Sequence, residues 1–389
     1  MGKQAKRTYL DAIRGRYRKA KRVGKANILD EFCAVCGYNR KYAIRLLGRK
    51  KSTSASRRVG RKPKYDHPHL LEALRRIWLA SDQLCGKRLK VALPLWLPHY
   101  ESDYGALPSE AKSGLLAASA STLDRLLKPV RVDHPKGLGG TKPGTLLKRQ
   151  IPIRCEHWDV SQPGFVEADT VAHCGNSLAG DFVWSLTMTD ILTGWTECRA
   201  TWNKGSQGVL SQIKAIEAAL PFPLRGFDCD NGSEFLNHHL VRYFSDHPEK
   251  PAFTRSRPYK KNDNAHVEQK NWSQVRHLFG YDRFDNPKLV SLMNDLYAHE
   301  WSQLQNRFCP TLKLKEKSRV GSRYKKRYHP PETPYQRIMT SDTILTASKD
   351  ILRKQHDTIN PFELKRQIEA KLKLFFSMVS VTSNVRQRI

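Results

Sequence analysis

The chain has 389 residues, 39% of them hydrophobic, and carries 68 Lys and Arg against 37 Asp and Glu, a formal charge of +31. That length suits two or three domains with at least one sizeable core, and the charge calls for a polyanionic partner. No apolar run nears the ~20 residues that cross a bilayer, and the N-terminus MGKQAKRTYL has no apolar signal core, so a membrane span and secretion are both excluded as expectations.

The basic residues are unevenly spread. Residues 1–64 hold 21 basic and 3 acidic residues, and residues 311–329 hold 8 and 1, while the middle is balanced like a folded enzyme core. Nucleic acid fits this pattern better than an anionic membrane, because no basic amphipathic helix of the membrane-surface kind stands out. Eight cysteines are scattered, with Cys33 and Cys36 as the one CxxC pair. Without a second pair or patterned histidines they read as small residues of a helical hairpin rather than zinc ligands. Reduced thiols in a cytoplasmic, nucleoid-associated protein are expected.

In chain order, residues 26–47 read as helix, turn, helix. Ile28, Leu29, Phe32 and Val35 recur at helical spacing, Gly37 stops the first helix, and Asn39 caps a second that carries Tyr42, Ala43, Leu46 and Leu47. Arg40, Lys41 and Arg45 then lie on the outer side, where a recognition helix meets DNA. Residues 49–68 are a basic linker in which Arg61 and Lys62 of GRKPK have the character of a minor-groove insert. Residues 69–130 form a second helical DNA-binding unit, with prolines interrupting KRLKVALPLWLPHYE. Ser119 or Ser121 caps a helix bearing Arg125. A Gly-, Pro- and Lys-rich connector over 131–151 follows.

From residue 152 to 310 the pattern is that of a mixed domain. GFVEADTVAH, DFVWSLTMTD and GWTECRATWN alternate at period two and predict a three-strand antiparallel meander. Then come an amphipathic helix (SQGVLSQIKAIEAALP), a short strand (LRGFDCDNG), a helix (SEFLNHHLVRYFSD), a strand (AFTRS), and helices over Ala265–Leu278 and KLVSLMNDLYAHEWSQLQN. This is the ribonuclease H-like order, in which the first and fourth strands are neighbours. Asp169 on the first strand and Asp230 at the end of the fourth would then face each other, with Glu268 approaching from a helix. Three converging carboxylates need a counter-charge. Mg2+, with Mn2+ as substitute and two ions per site, supplies it through oxygen ligands and activates phosphodiester chemistry. Lys260, Lys261, Asn264, Lys270 and Asn271 flank Glu268 as expected DNA contacts.

Other acids nearby have simpler readings. Glu167 shares the strand face of Asp169 and Asp228 that of Asp230, so either could stand in as ligand. Asp190 reads as a turn residue, Asp263 as a helix-start residue, and Glu234 as a first-turn helix acid favoured by the dipole. Trp184, Trp195, Trp202 and Trp272 read as core, with Trp272 placed to buttress the helix of Glu268.

The pieces EADTV, TDILTGWTE, DCDNGSEF and SRPYKKNDNAHVEQKN, with 37 residues between Asp230 and Glu268, resemble the integrase catalytic core of retroviral integrases and bacterial insertion-sequence transposases. The resemblance implies Asp169, Asp230 and Glu268 as a DDE triad that holds the metal ions. It implies helical units upstream that bind the terminal repeats of an element, a small basic C-terminal region over 311–389, and a homo-oligomer that pairs two ends on target double-stranded DNA. No nucleotide cofactor is expected, since no G-x-x-x-x-G-K-[ST] occurs. A retired transposase acting as a regulator, or a nuclease that cuts without joining, are the rival readings. Residues 359–376 read as a terminal helix.

Overall fold

The computed structural model describes residues 2–48, 65–133, 160–230, 232, 234–255, 267, 270–320 and 323–386. Arg61, Lys62, Lys260, Lys261, Asp263, Asn264 and Glu268 lie outside the described residues. Two compact units divide the chain, residues 1–63 and residues 64–389.

The first unit is three helices: α1 (Lys3–Lys19), α2 (Arg22–Cys36) and α3 (Arg40–Gly48). Gly37 ends α2 at φ 67°, where only glycine is unstrained. Asn39 then starts α3, its Oδ1 accepting from Lys41 N at 3.0 Å. Ile13, Leu29, Phe32, Cys36, Ala43 and Leu47 form the core. Sequence inspection passes over α1, although Tyr9, Leu10, Ile13 and Tyr17 recur at helical spacing and pack on this core. Two residues expected on the apolar faces are turned outward, Val35 at 47% and Tyr42 at 40% exposure. Cys36 is in the core and both cysteines are free thiols.

The second unit opens with α4 (Pro68–Ala80), α5 (Gly86–Tyr104), α6 (Ser109–Ala117), α7 (Ala120–Leu126) and the short α8 (Lys128–Asp133). Ser119 caps α7 by accepting from Thr122 N. The prolines do not break α5, which runs through Pro94 and Pro98. Each costs a backbone hydrogen bond. Burial of Leu89, Leu93, Trp96 and Leu97, with Trp96 Nε1 donating to Phe308 O at 3.0 Å, offsets the loss.

A five-stranded sheet follows: β1 (Phe165–Ala172), β2 (Val183–Asp190), β3 (Thr196–Trp202), β4 (Gly226–Cys229) and β5 (Ala252–Arg255), in the order β3-β2-β1-β4-β5. The first three strands are antiparallel neighbours, and β4 and β5 run parallel to β1. This mixed sheet is consistent with a ribonuclease H-like domain. On one face α9 (Ser206–Ala219) and α10 (His238–Asp246) cover Val166, Ala168, Leu186, Met188, Phe227 and Cys229. The other face, with Val171, Val183, Cys198 and Ala200, shares one core with α4 to α7 and with the chain from Val275 to Cys309. That stretch is helical: a π-helical turn over Asn271–Arg276 leading into α11 (His277–Phe279), then α12 (Leu289–Leu296), a second π-helical turn over Tyr297–Trp301, and α13 (Ser302–Phe308).

The C-terminal region is a hairpin of β6 (Leu314–Val320) and β7 (Arg323–Tyr328), then α14 (Pro334–Thr340), α15 (Thr346–Asp357) and α16 (Pro361–Arg386). The terminal helix packs: Phe362, Leu364, Ile368 and Phe375 enter the same core as the sheet and α4 to α7. Among the described residues no helix is long and apolar enough to cross a membrane.

Gly164, just before β1, sits at φ +113°, and a Cβ there would come within 2.3 Å of Pro223 O. Its own carbonyl accepts from Arg225 N and Gly226 N, which aligns β4 beside β1. Gly164→Ala is expected to cost about 2–4 kcal/mol in a denaturant melt, from strain plus displacement of β4.

Candidate active site

Alternation along two parallel strands sets the site. Phe227 and Cys229 face α9 and α10, so Asp228 and Asp230 face the other way, as do Glu167 and Asp169 opposite Val166 and Ala168. The register pairs Glu167 with Asp228 and Ala168 with Cys229, so the next position sets Asp169 beside Asp230. Both are half-buried.

Asp169 Oδ1 accepts from Thr170 N at 2.7 Å, and Oδ2 accepts from Asn271 Nδ2 at 2.6 Å. Burial, then the negative charge of Asp230, push its pKa up to about 7 despite both hydrogen bonds. Burial likewise raises Asp230, whose Oδ1 accepts from Gly232 N at 2.9 Å. Two carboxylates that resist ionisation side by side are a site short of positive charge.

The neighbouring acids divide clearly. Asp228 accepts from Thr254 Oγ1 at 2.6 Å. Glu167 is buried and accepts from Val267 N at 3.2 Å, which ties β1 to the segment that carries Glu268. Asp190 closes the β2–β3 turn, accepting from Gly164 N, Thr193 N and Thr193 Oγ1 at 2.7–2.8 Å.

Glu234 departs from expectation. It lies in a turn ahead of α10, which begins at His238 with Asn237 as its cap, so the helix dipole is not its partner. It is 2% exposed, and its Oε1 accepts from Thr170 Oγ1 at 2.7 Å and from Lys204 Nζ at 2.9 Å. Its Oε2 is buried with no partner among the described residues. Its charge helps raise both Asp169 and Asp230. Sequence reasoning missed Glu234 and Lys204 in this role, because their meeting depends on where the turns after β3 and β4 end.

The expected DNA contacts that the structure describes are spread over both units. In the first, Arg40 pairs with Asp30, Arg45 lies over the Tyr42 ring at 5.2 Å, and Lys41 is exposed. Arg125 is exposed on α7. Asn271 is at the Asp pair. Lys270 is half-buried, donates to Gly194 O at 3.2 Å, and is drawn down to about 7 by burial and then by Arg88 and Arg337. Of the tryptophans, Trp195 is core, Trp184 and Trp202 are half-buried, and Lys204 Nζ lies 4.1 Å over the Trp184 ring. Trp272 is 39% exposed rather than core, because the π-helical turn rotates it outward while Gln274 and Val275 go in.

The donors here are all oxygens and anionic, which suits a hard divalent cation. Glu234 Oε2 and Asn271 Oδ1, both buried with no partner among the described residues, are further oxygens that fit the same role. Among the described residues no three acidic, His or Cys side chains converge as a ligand cluster. Asp169 and Asp230 are brought together, and Glu268, the third carboxylate expected from the sequence, lies outside the described residues.

No protein-family model matches the chain. The catalytic core domain of BIV integrase is a structural neighbour at 13% identity, covering 44% of this chain and 91% of that one, with a TM-score of 0.28. The uncharacterized protein y4rM of Sinorhizobium fredii is 42% identical over 340 residues, covering 86% of this chain and 95% of that protein. The chain thus belongs to one family with y4rM.

Proposed function

We propose that the chain is a DNA transposase that hydrolyses the 3′ ends of its element and joins them to target DNA. The observation that supports this most is the Asp169–Asp230 pair, set side by side on neighbouring parallel strands with the pKa of both raised. Asp169, Asp230 and Glu268 would hold Mg2+ or Mn2+, two ions per site. Bound there, the ions supply activation of the attacking oxygen and neutralisation of the leaving one.

The protein's own groups do the positioning. Asn271 and Thr170 N fix the Asp169 carboxylate, and Gly232 N fixes that of Asp230. Glu234, held by Thr170 and Lys204, adds negative potential behind the pair and so favours a bound cation over an ionised but empty site. A DNA strand would run over Lys270 and Asn271 and the segment of Lys260, Lys261 and Asn264. Terminal repeats of the element would be bound through Arg40, Lys41, Arg45, Arg61, Lys62 and Arg125, by a homo-oligomer pairing two ends.

The test is joining of a labelled element-end duplex to a plasmid. Metal-dependent joined product is expected from the wild type, and Glu268→Gln is expected to lower it at least about a thousandfold while leaving end binding in Ca2+ intact. Tight end binding with neither nicking nor joining by the wild type would instead make the chain a regulator. Nicking without joining would make it a nuclease.

A further inference from the structure

The turn between β2 and β3 collects positive charge from four parts of the second unit. Lys313 Nζ donates to Leu192 O at 2.9 Å, Arg337 Nη1 to Thr193 O at 2.8 Å, and Lys270 Nζ to Gly194 O at 3.2 Å. Three successive carbonyls are thus each held by a cation from a different element. Arg88 of α5 donates to Pro310 O, next to Thr311, whose O and Oγ1 accept from Arg337 at 2.8 and 2.7 Å. All four cationic residues are half-buried. The packing is close, since a Cβ on Gly194 (φ +73°) would lie 3.3 Å from Arg337 Nη1.

The charges are poorly balanced. Asp190 is committed to the turn's own backbone and Thr193, and Glu332 stands 3.7 Å from Arg337 Nε at the exposed rim. Arg88 and Lys270 have no ion pair among the described residues, and they donate to neutral carbonyls, Pro310 O and Gly194 O. Carbonyls satisfy the donors but not the charge, and four cations crowded where water is partly excluded repel one another. A neutral amide side chain would hold a carbonyl at less cost. The cluster makes sense when an anion completes it.

We propose that Arg88, Lys270, Lys313 and Arg337 form a phosphate-binding site at the β2–β3 turn, and that a backbone phosphate of bound DNA is its occupant. The choice of DNA rests on the function proposed above. Lys270 immediately precedes Asn271, which holds Asp169, so a strand seated here passes the acidic pair. The phosphate group itself is called for by the cations alone. Lys270 then has two partners in turn, Gly194 O in the free protein and the phosphate in the complex.

The experiment uses the full chain with Lys270→Met and, separately, Arg88→Gln. Thermal midpoints are read without metal or DNA, with and without inorganic phosphate. Binding of a labelled random-sequence duplex is read by anisotropy in Ca2+ across a NaCl series. Removal of an uncompensated charge is expected to raise the midpoint of Lys270→Met by roughly 2 °C or more, because no ion pair is lost. Phosphate is expected to raise the wild-type midpoint more than that of either variant. Duplex affinity is expected to fall about tenfold, and the salt slope to become shallower by about 0.9 for the lost phosphate contact. Lower midpoints in both variants with an unchanged salt slope would overturn the proposal and make these side chains struts of the turn. A phosphate response without any change in duplex binding would overturn DNA as the occupant. If the wild type proves inactive yet the slopes shift as expected, the catalytic reading fails and this site stands.

Discussion

Asp169→Asn is expected to make the metal-free protein more stable while abolishing its metal-dependent chemistry. In the fold, Asp169 titrates near 7 rather than 3.8, raised first by burial and then by Asp230. A carboxyl whose pKa is raised on folding binds its proton more tightly in the native state. It therefore contributes stability below pH 4 that is lost as pH rises from about 4 to about 7. At neutral pH the penalty has an upper value of ~4 kcal/mol. The amide removes it without breaking the local bonds. Its oxygen still accepts from Thr170 N, and Asn271 can turn its amide so that the partnerless Oδ1 accepts from the new NH2. A gain of about 2 kcal/mol, or roughly 3 °C, is expected at pH 7.5 without metal, shrinking to nothing by about pH 4. Millimolar Mg2+ should reverse the order, since it stabilises only the protein that binds it. Cleavage and joining should fall at least about a thousandfold. Scanning calorimetry at several pH values with and without Mg2+ reads all of this. A lower metal-free midpoint for the variant at neutral pH would mean that the carboxylate is not under the strain assigned to it.

Phe375→Ala is expected to cost about 3–5 kcal/mol, the usual range for a fully buried aromatic ring. Phe375 is 2% exposed, and its ring meets Phe279 at 4.9 Å and Phe284 at 5.0 Å edge-on. Phe284 in turn stacks on the buried His173 ring at 4.8 Å, directly after β1. The deletion therefore leaves a cavity next to the strand that carries Asp169, although residue 375 is more than two hundred positions away in sequence. Urea denaturation of the full chain should show the lost stability. Activity of the folded fraction should drop only modestly, because no group at the site is removed. A cost below about 1 kcal/mol would show that the terminal helix is not part of the core.

How far the fold is legible depended on how local each signal is. The strands of the sheet and the Asp169–Asp230 pairing follow from period-two alternation and element order, which are sequence properties. Helix starts at Asn39 and Ser119 were readable from cap chemistry. What failed needed distances across the fold. Glu234 meets Lys204 and Thr170 from far along the chain, after β4. Trp272 is rotated outward by a π-helical turn that no propensity announces. Pro94 and Pro98 sit inside a helix because burial outweighs the bonds they forfeit. The residues 69–130, expected as a unit of their own, share a core with the sheet and α16. Apolar periodicity says that a helix face is buried, not against what.

That shared core bears on how the protein is made. Helices α4 to α7 leave the ribosome long before the sheet, and Phe362, Ile368 and Phe375, which complete the same core, leave it well after the sheet. During synthesis the face of β1 that carries Asp169 has no complete cover until α16 emerges. The acidic pair is assembled in its low-dielectric setting only after residue 375 has been made. A ribosome that stalls before residue 361 thus leaves a nascent chain with an uncovered sheet face, a substrate for chaperones and proteases. Burial of the acidic pair is in this way tied to synthesis of α16.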